Sequence, residues 1–143
     1  IIYEQAKMLA SPKNIILSID IPQEAGLINA DELHLRRLFL NLIDNAIKFT
    51  PVGGSISISL KYENQKALVA IIDTGIGIEE ENLPKLFDKF FRIGGIVKDA
   101  GPSSGLGLSI AQSIAELHNG EISVTSRVGQ GSKFIVFLPL LNQ

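Results

Sequence analysis

The sequence predicts an α/β protein of the two-layer sandwich class, in which three main helices cover one face of a mixed, mostly antiparallel sheet. Two observations favour this class. Apolar residues recur at helical spacing in three segments, at 1–9, 31–49 and 105–118. Segments with strand patterns come mostly as adjacent pairs that can close as antiparallel hairpins. Because helices and strands alternate only in part, we expect the helices to lie together on one side of the sheet.

The elements before Pro51 are delimited by helix caps and helix breakers. Ser11-Pro12 ends the first helix, and residues 1–12 can be the end of a preceding linker helix. Asp31 has the chemistry of an N-cap for the long helix, which stops before Pro51. In chain order, these elements are a helix at 1–9, a strand at 15–19, a short extended piece at 27–28 and a long helix at 31–49.

Strand patterns dominate the rest of the chain. Residues 55–60 alternate between serine and apolar side chains, as in a strand with one buried face, and 67–72 are nearly all apolar, as in the interior of a sheet. The stretch 92–105 lacks periodicity and contains several glycines, which predicts a mobile loop. The remaining predicted elements are short helical pieces at 79–91 with Pro84 near the start of one, a helix at 105–118 closed by Asn119-Gly120, and strands at 121–126 and 132–138.

Composition limits the classes of function. A chain of 143 residues with 45% hydrophobic content is the size of one globular domain, 1–143. A net charge of −2 without a Lys/Arg cluster argues against nucleic-acid binding, and because no apolar run reaches transmembrane length we expect no direct membrane contact from this domain. The absence of cysteine fits a reducing, cytoplasmic compartment. Because the chain begins at Ile1, we expect a piece of a longer protein, which can itself be membrane-anchored.

The long helix carries polar side chains between apolar ones. Asn41, Asn45 and Lys48 stand at i, i+4 and i+7 and share one helix face, here called the polar ridge. Partly desolvated amides and an ammonium need partners, which a bound anion with a hard cation such as Mg²⁺ would supply. The alternative is a solvated helix face. We expect the sheet to be contacted by Leu35, Leu38, Phe39, Leu42, Ala46 and Phe49, and the far side of the ridge to be flanked by Leu40, Ile43 and Ile47.

Two glycine-containing stretches are also candidates for ligand binding. Asp73 ends an apolar strand and precedes Gly75 and Gly77, so it can accept a hydrogen bond from an adenine amine in a pocket that the glycines keep open, or simply begin a turn. Gly105-Leu106-Gly107 at a helix start offers free N–H groups to phosphate, or is a flexible loop end. The pattern is neither a Rossmann nor a Walker motif, because no strand immediately precedes it and no GKS or GKT follows.

Taken together, four motifs resemble the N, G1, F and G2 boxes of sensor histidine kinases, in their usual order. The resemblance covers almost the whole chain and implies the Bergerat α/β fold that these kinases share with the gyrase, heat-shock chaperone and mismatch-repair ATPases. The motifs are Asn41-Leu-Ile-Asp-Asn45-Ala-Ile-Lys48-Phe-Thr-Pro, Asp73-Thr-Gly-Ile-Gly-Ile78, Phe87-Asp-Lys-Phe-Phe-Arg92 and Gly105-Leu-Gly-Leu-Ser109.

The resemblance implies an ATP and Mg²⁺ site. It implies that Asn45, with Asn41 beside it, holds Mg²⁺, that Lys48 approaches the phosphates, and that Asp73 holds adenine N6. Arg92 would reach the γ-phosphate when the lid, residues 92–105, closes. The implied catalytic residues are Asn41, Lys48 and Arg92. The implied nucleotide-binding set adds Phe49 (with a core role as the alternative), Gly75, Gly77, Ile78, Ser104, Gly105, Leu106, Gly107 and Leu108.

The resemblance also indicates the type of reaction. The related ATPases carry a glutamate where this chain has Asn41, and an amide cannot take a proton from water, so we expect transfer rather than hydrolysis. Neither His34 nor His118 matches the acceptor motif, so the expected partners are a dimerisation and phosphoacceptor domain absent from this sequence and the receiver domain of a response regulator, in a homodimeric parent. The alternatives are a degenerate nucleotide-binding module and an anti-sigma-type serine kinase.

Two features concern the lid. Pro102-Ser103-Ser104 stands where many relatives have Gly-Thr or Gly-Ser, which stiffens the last hinge of the lid. Three phenylalanines of the F box are interpreted as core residues that anchor the lid, with a docking surface for the dimerisation domain as the alternative. They are Phe87, Phe90 and Phe91.

Overall fold

The computed structural model describes residues 7–8, 10–22, 30–88 and 107–140. Within these ranges it contains five strands, two α-helices and two short 3₁₀ helices, Ser11–Lys13 and Glu80–Lys85. The strands and α-helices are β1 (Ile16–Asp20), α1 (Glu32–Phe49), β2 (Ser55–Glu63), β3 (Lys66–Asp73), α2 (Gly107–Leu117), β4 (Glu121–Arg127) and β5 (Gly131–Pro139).

The five strands form one sheet in the order β1-β2-β3-β5-β4. Strand β1 pairs with β2 in parallel, and the other three pairs are antiparallel, so the prediction of a mixed, mostly antiparallel sheet is confirmed. The connection between the parallel strands contains α1, as a crossover between parallel neighbours requires. The hairpins β2-β3 and β4-β5 are the two adjacent strand pairs that the sequence indicated.

The hydrophobic core lies between the sheet and the two helices. Alternate residues of β3 and β5 are buried, because side chains on a strand point to opposite faces in turn. The helices pack on that face and on each other, which gives the two-layer α/β sandwich. The most deeply buried large side chains are Phe134, Leu38, Leu42, Ile43, Ile56, Ile71, Leu138 and Val136.

Helix α1 begins and ends where its sequence predicts. The Asp31 carboxylate accepts hydrogen bonds from the backbone N–H groups of Leu33 and His34, which makes Asp31 the N-cap, and Pro51 follows the C-terminal end. The side-chain assignment needs correction at two positions. Ile43 and Ile47 lie in the core and do not merely flank the polar ridge, because the buried face of α1 contacts α2 as well as the sheet.

Helix α2 ends at a left-handed residue. Asn119 has φ 61°, and the Gly120 N–H donates to the Ala115 carbonyl at 2.8 Å, which is the Schellman pattern expected from Asn119-Gly120. A side chain at Gly120 would collide with the Phe137 carbonyl oxygen, so glycine is required by the approach of β5.

Several predictions at element boundaries are changed or untested. Strands β2 and β3 meet at a tighter turn than predicted and extend to Glu63 and from Lys66. Pro84 lies near the end of a 3₁₀ helix rather than near its start. Most of the helix predicted at 1–9, the extended piece at 27–28 and the lid at 92–105 lie outside the described residues. No helix of the described ranges is both long and apolar enough to cross a membrane.

Candidate functional site

The polar ridge of α1 is only partly accessible to solvent. Asn41, Asn45 and Lys48 are each half-buried. The Asn41 Nδ2 atom is buried and has no hydrogen-bond partner within the part of the chain that the structure describes. A buried amide without a partner costs about 1–3 kcal/mol, so the geometry of the ridge favours a ligand that completes it.

Lys48 is paired within its own helix. Its Nζ lies 3.2 Å from Oδ2 of Asp44, one turn earlier, and its side chain is 26% exposed. The ammonium must leave this carboxylate, or share it, to reach a phosphate oxygen. Asp44 was missed by the sequence reasoning, although its i, i+4 spacing from Lys48 is the signal for such a pair.

Asp73 is a buried carboxylate at the end of β3. It is 4% exposed, and its Oδ1 accepts hydrogen bonds from the N–H groups of Gly75 at 2.8 Å and Ser132 at 3.3 Å. Burial raises the pKa of Asp73 above its usual range, although these two hydrogen bonds oppose the change. Among the described residues, no group donates to Oδ2, so one oxygen of the carboxylate is available to a ligand.

The loop after Asp73 is fixed by backbone contacts. The Ile76 N–H donates to the Phe49 carbonyl at 3.1 Å, which ties the loop to the end of α1. A Cβ at Gly75 would lie 2.3 Å from the Phe49 carbonyl oxygen, and a Cβ at Gly77, where φ is +79°, would lie 2.0 Å from that of Arg127. These glycines allow protein backbone to approach the loop. The close approach of backbone explains the glycines at both positions, and their role in lining a base pocket stays a prediction.

Two serines missed by the sequence reasoning support this loop. The Ile78 N–H donates to Ser126 Oγ at 2.8 Å, and Ser126 donates in turn to the Gly131 carbonyl at 2.8 Å. Because the single proton of Ser126 is used there, Ser132 Oγ is the donor in the 2.8 Å contact between the two hydroxyls. Strand pairing places both serines beside Asp73, since Ser132 faces Asp73 across β3-β5 and Ser126 faces Ser132 across β4-β5.

The C-terminal end of α2 is joined to the start of α1. The Asp31 N–H donates to Nε2 of His118 at 3.1 Å, and Nδ1 of His118 lies 2.8 Å from the Ile114 carbonyl. The imidazole therefore joins the end of α2 to the start of α1. The two helices also pack on each other along their lengths. A Cβ at Gly107 would meet no atom of the described residues within 4 Å, so none of these residues covers this helix start.

Other predicted site residues have structural contacts or lie outside the described ranges. Ile78 is buried in the core, and Leu108 packs against the core cluster. Phe49 is half-buried and lies outside this cluster. Phe87 stacks edge-on against Phe134 with ring centroids 6.5 Å apart, as expected of a core residue. The predicted residues outside the described ranges are Phe90, Phe91, Arg92, Ser104, Gly105 and Leu106.

The arrangement suits a nucleotide with its metal. Amide oxygens of Asn41 and Asn45 are hard ligands appropriate to Mg²⁺, which usually binds together with substrate phosphates. The free Asp73 oxygen is an acceptor for an exocyclic amine. A separate cavity of about 210 Å³ is bounded by Lys66, at the opposite end of β3 from Asp73, and does not belong to this site.

Comparisons with known proteins point to one family. The family model described as histidine kinase-, DNA gyrase B-, and HSP90-like ATPase matches residues 30–142. The adaptive-response sensory kinase SasA of Crocosphaera subtropica is 42% identical over 141 residues, which are 97% of this chain and 36% of that protein. The chain thus spans about a third of this curated relative.

Two solved structures share the fold. The mycobacterial sensor histidine kinase MprB superimposes with a TM-score of 0.86 at 26% identity, over 99% of this chain and 93% of that one. Full-length ShkA in complex with AMPPNP has a TM-score of 0.86 at 25% identity, over 99% of this chain and 29% of that one. The likeness to MprB extends over nearly the whole of both chains.

Proposed function

This chain belongs to the histidine kinase-, DNA gyrase B-, and HSP90-like ATPases and is a catalytic domain of the sensor histidine kinase type, and we propose that it transfers the γ-phosphoryl group of ATP to a histidine of a separate dimerisation domain. The phosphoryl group would then pass to an aspartate on the receiver domain of a response regulator. The parent protein would be a homodimer with this domain on the cytoplasmic side.

One observation carries the proposal, the half-satisfied carboxylate of Asp73. Backbone N–H groups saturate Oδ1, while Oδ2 has no donor among the described residues. This oxygen can accept a hydrogen bond from the N6 amine of adenine. Guanine has a carbonyl oxygen at the equivalent position, which is itself an acceptor. The buried carboxylate therefore supports selection of ATP over GTP.

The polar ridge is proposed to hold the metal and the phosphates. Asn45 and Asn41 offer amide oxygens, and Nδ2 of Asn41, which has no partner among the described residues, can donate to a phosphate oxygen or a bound water. When bound, Mg²⁺ would neutralise phosphate charge. Lys48, released from Asp44, would add a point charge at the phosphates, and Arg92 would do so from the lid.

The ridge favours transfer over hydrolysis. An asparagine at position 41 has no basic atom to take a proton from water, so this chain lacks a general base there. An acceptor imidazole needs no such base, because it is itself the nucleophile. The task of the domain is then to orient the γ-phosphoryl group toward the acceptor and to exclude water from it.

The acceptor is proposed to lie on another domain because the two histidines here are engaged elsewhere. Both imidazole nitrogens of His118 contact backbone groups, and His34 Nδ1 lies 3.8 Å from the Asp31 carboxylate. These contacts place both side chains at the α1 start and α2 end, away from the last turns of α1 that carry Asn45 and Lys48.

Titration calorimetry with Mg-ATP and Mg-GTP tests the proposal. We expect the chain to bind Mg-ATP, to bind Mg-GTP much more weakly, and, in a separate turnover assay, to consume little ATP until a dimerisation domain is added as phosphoryl acceptor. Asp73→Asn keeps an acceptor at Oδ1 but presents an amide donor to N6, and should lower ATP affinity about ten- to a hundredfold, which corresponds to about 1.5–3 kcal/mol. No binding of Mg-ATP, or robust hydrolysis by the chain alone, would contradict the proposal.

A further inference from the structure

Helix α1 ends without the left-handed residue that satisfies many helix C-termini. Thr50, its C-cap, is extended, with φ −102° and ψ 125°, and Pro51 follows. The last four carbonyl groups of a helix have no partner within it, and they need donors from elsewhere when they are partly buried. Thr50 itself donates to two of these carbonyls, from Oγ1 to Ala46 at 2.7 Å and from its N–H to Ile47 at 3.3 Å, and the remaining donors come from other parts of the chain.

These donors come from two distant segments. The first is the segment before β1, whose Lys13 ammonium donates to three carbonyls at the end of α1. The second is the loop after Asp73, whose Ile76 N–H donates to the carbonyl of Phe49. The Lys13 Nζ contacts are Ile47 O at 3.0 Å, Lys48 O at 3.2 Å and Thr50 O at 3.3 Å, and the Ile76 contact is Phe49 O at 3.1 Å.

The position of Lys13 is itself fixed. It ends the 3₁₀ helix Ser11–Lys13, and its carbonyl accepts a hydrogen bond from the Gly53 N–H at 3.0 Å. Ala10, just before that helix, is 1% exposed and belongs to the core. The segment before β1 is thus clamped both to the last turn of α1 and to the turn that follows it.

We propose that Lys13 is a positioning residue for the nucleotide site. It does not contact the proposed ligand groups, but it orients the α1 turn that carries Lys48 and that receives the Asp73 loop through Ile76. The inference rests on the proposed function for its consequence in binding. Lys13 precedes residues 30–142, so a segment outside the matched family region controls the shape of the site.

The proposal has a regulatory consequence. If the segment before β1 moves, Lys13 leaves the α1 carbonyls, and a positive charge that suits the negative end of the helix dipole leaves with it. The last turn of α1 then loosens and the Asp73 loop loses its fixed support. A displacement at residues 10–13 would thereby lower nucleotide affinity without touching the nucleotide.

Lys13→Met, which keeps the aliphatic stem and removes the ammonium, tests the proposal against Asp31→Ala, which uncaps the opposite end of the same helix. At a temperature well below both unfolding midpoints, Lys13→Met should bind Mg-ATP about tenfold more weakly than the natural sequence, and Asp31→Ala should bind normally. Lys13→Arg, which keeps a cation, should recover most of the affinity. Equal affinity for Lys13→Met and the natural chain, or an equal loss in Asp31→Ala, would overturn the proposal.

Amide hydrogen exchange without nucleotide separates this inference from the proposed function. Lys13→Met should accelerate exchange at Ile76, whereas Asp31→Ala should accelerate it at Leu33 and His34 and leave Ile76 unchanged. If the natural chain fails to bind Mg-ATP, the proposed function fails, and an accelerated Ile76 amide still supports the positioning role. Unchanged exchange at Ile76 in Lys13→Met overturns it whatever the binding result.

Discussion

At the residue scale, the buried Asp73 carboxylate lowers the stability of the folded chain and leaves one oxygen available to accept a hydrogen bond from a ligand. Its burial disfavours the charged form and raises its pKa, and the hydrogen bonds from Gly75 and Ser132 recover only part of that cost. A carboxylate selected only for folding would be paired on both oxygens or replaced by an amide. Its retention at the end of a buried strand is understandable if a ligand amine supplies the missing hydrogen bond.

The raised pKa of Asp73 should make the unfolding free energy depend on pH. Because the folded-state pKa of Asp73 is raised, folding favours the protonated group, so its unfavourable contribution diminishes as pH falls through the folded pKa toward the ordinary value. Asp73→Asn removes the effect. We expect the variant to be at least as stable as the natural chain at neutral pH, and the difference in unfolding free energy to shrink toward about pH 4. Urea unfolding of both proteins across this range measures it, and a difference independent of pH would be inconsistent with this view.

Two glycines, one in the loop after Asp73 and one in the β4-β5 turn, provide a matched pair of substitutions. Gly77 and Gly129 both have positive φ, at +79° and +82°, but only a side chain at Gly77 would collide with backbone, at the Arg127 carbonyl. Gly129→Ala should cost about 1–2 kcal/mol for the left-handed conformation alone. Gly77→Ala should cost at least about 1 kcal/mol more, because the β4-β5 turn must move. Equal unfolding free energies for the two variants would show that the close approach is unimportant.

At the element scale, α1 is held at both ends by side chains from elsewhere in the chain. At the start of α1, the Asp31 N–H donates to the His118 imidazole from the end of α2. At the end of α1, Lys13 donates to the helix carbonyls. The apolar face buries Leu38 and Leu42 between these two attachments. The polar ridge is therefore carried on a helix whose position is fixed from two sides, as a preorganised site requires.

The His118 link has a stability consequence. His118→Leu keeps an apolar body but removes the donor to the Ile114 carbonyl and the acceptor for the Asp31 N–H, so the unfolding midpoint should fall by about 3 °C. Ser113→Ala, at an exposed position of the same helix, is the control and should change little. Thermal unfolding followed by circular dichroism measures both, and an unchanged midpoint in His118→Leu would show that helix packing alone joins the pair.

At the scale of the whole molecule, the site lies where three elements meet. The end of α1, the loop after β3 and the β4-β5 turn are joined by backbone hydrogen bonds, from Ile76 to Phe49 and from Gly129 to Ile76. A ligand bound there contacts segments from separate parts of the chain. Ligand binding and global stability should therefore be coupled.

Thermal unfolding with nucleotide should reveal this coupling. At a nucleotide concentration about one hundredfold above its dissociation constant, Mg-ATP should stabilise the chain by about 2.7 kcal/mol. This amount raises the unfolding midpoint by about 5–10 °C for a domain of this size. Mg-GTP should raise it far less, and Asp73→Asn should remove the distinction. Equal shifts with both nucleotides would argue against recognition by the Asp73 carboxylate.

Much of the fold followed from local sequence. The boundaries of α1, the hairpin pairs and the end of α2 depend on residues close to one another in the chain, such as the Asp31 cap and Asn119-Gly120. The prediction of which α1 side chains would be buried was less complete. Ile43 and Ile47, which lie in the core, were misassigned because the second helix that packs on α1 is distant in sequence and its direction of approach has no local signal.

By itself, the sequence determined the secondary structure, the polar ridge and the buried aspartate, because helical and strand periodicity places neighbouring residues on fixed faces. Only the tertiary structure decided what holds the site together. Lys13 reaches Ile47 across 34 residues, and Asp73 meets Ser132 across 59. Such contacts depend on how the sheet, helices and turns are assembled, since a lysine or serine side chain on its own indicates neither its partner nor its role.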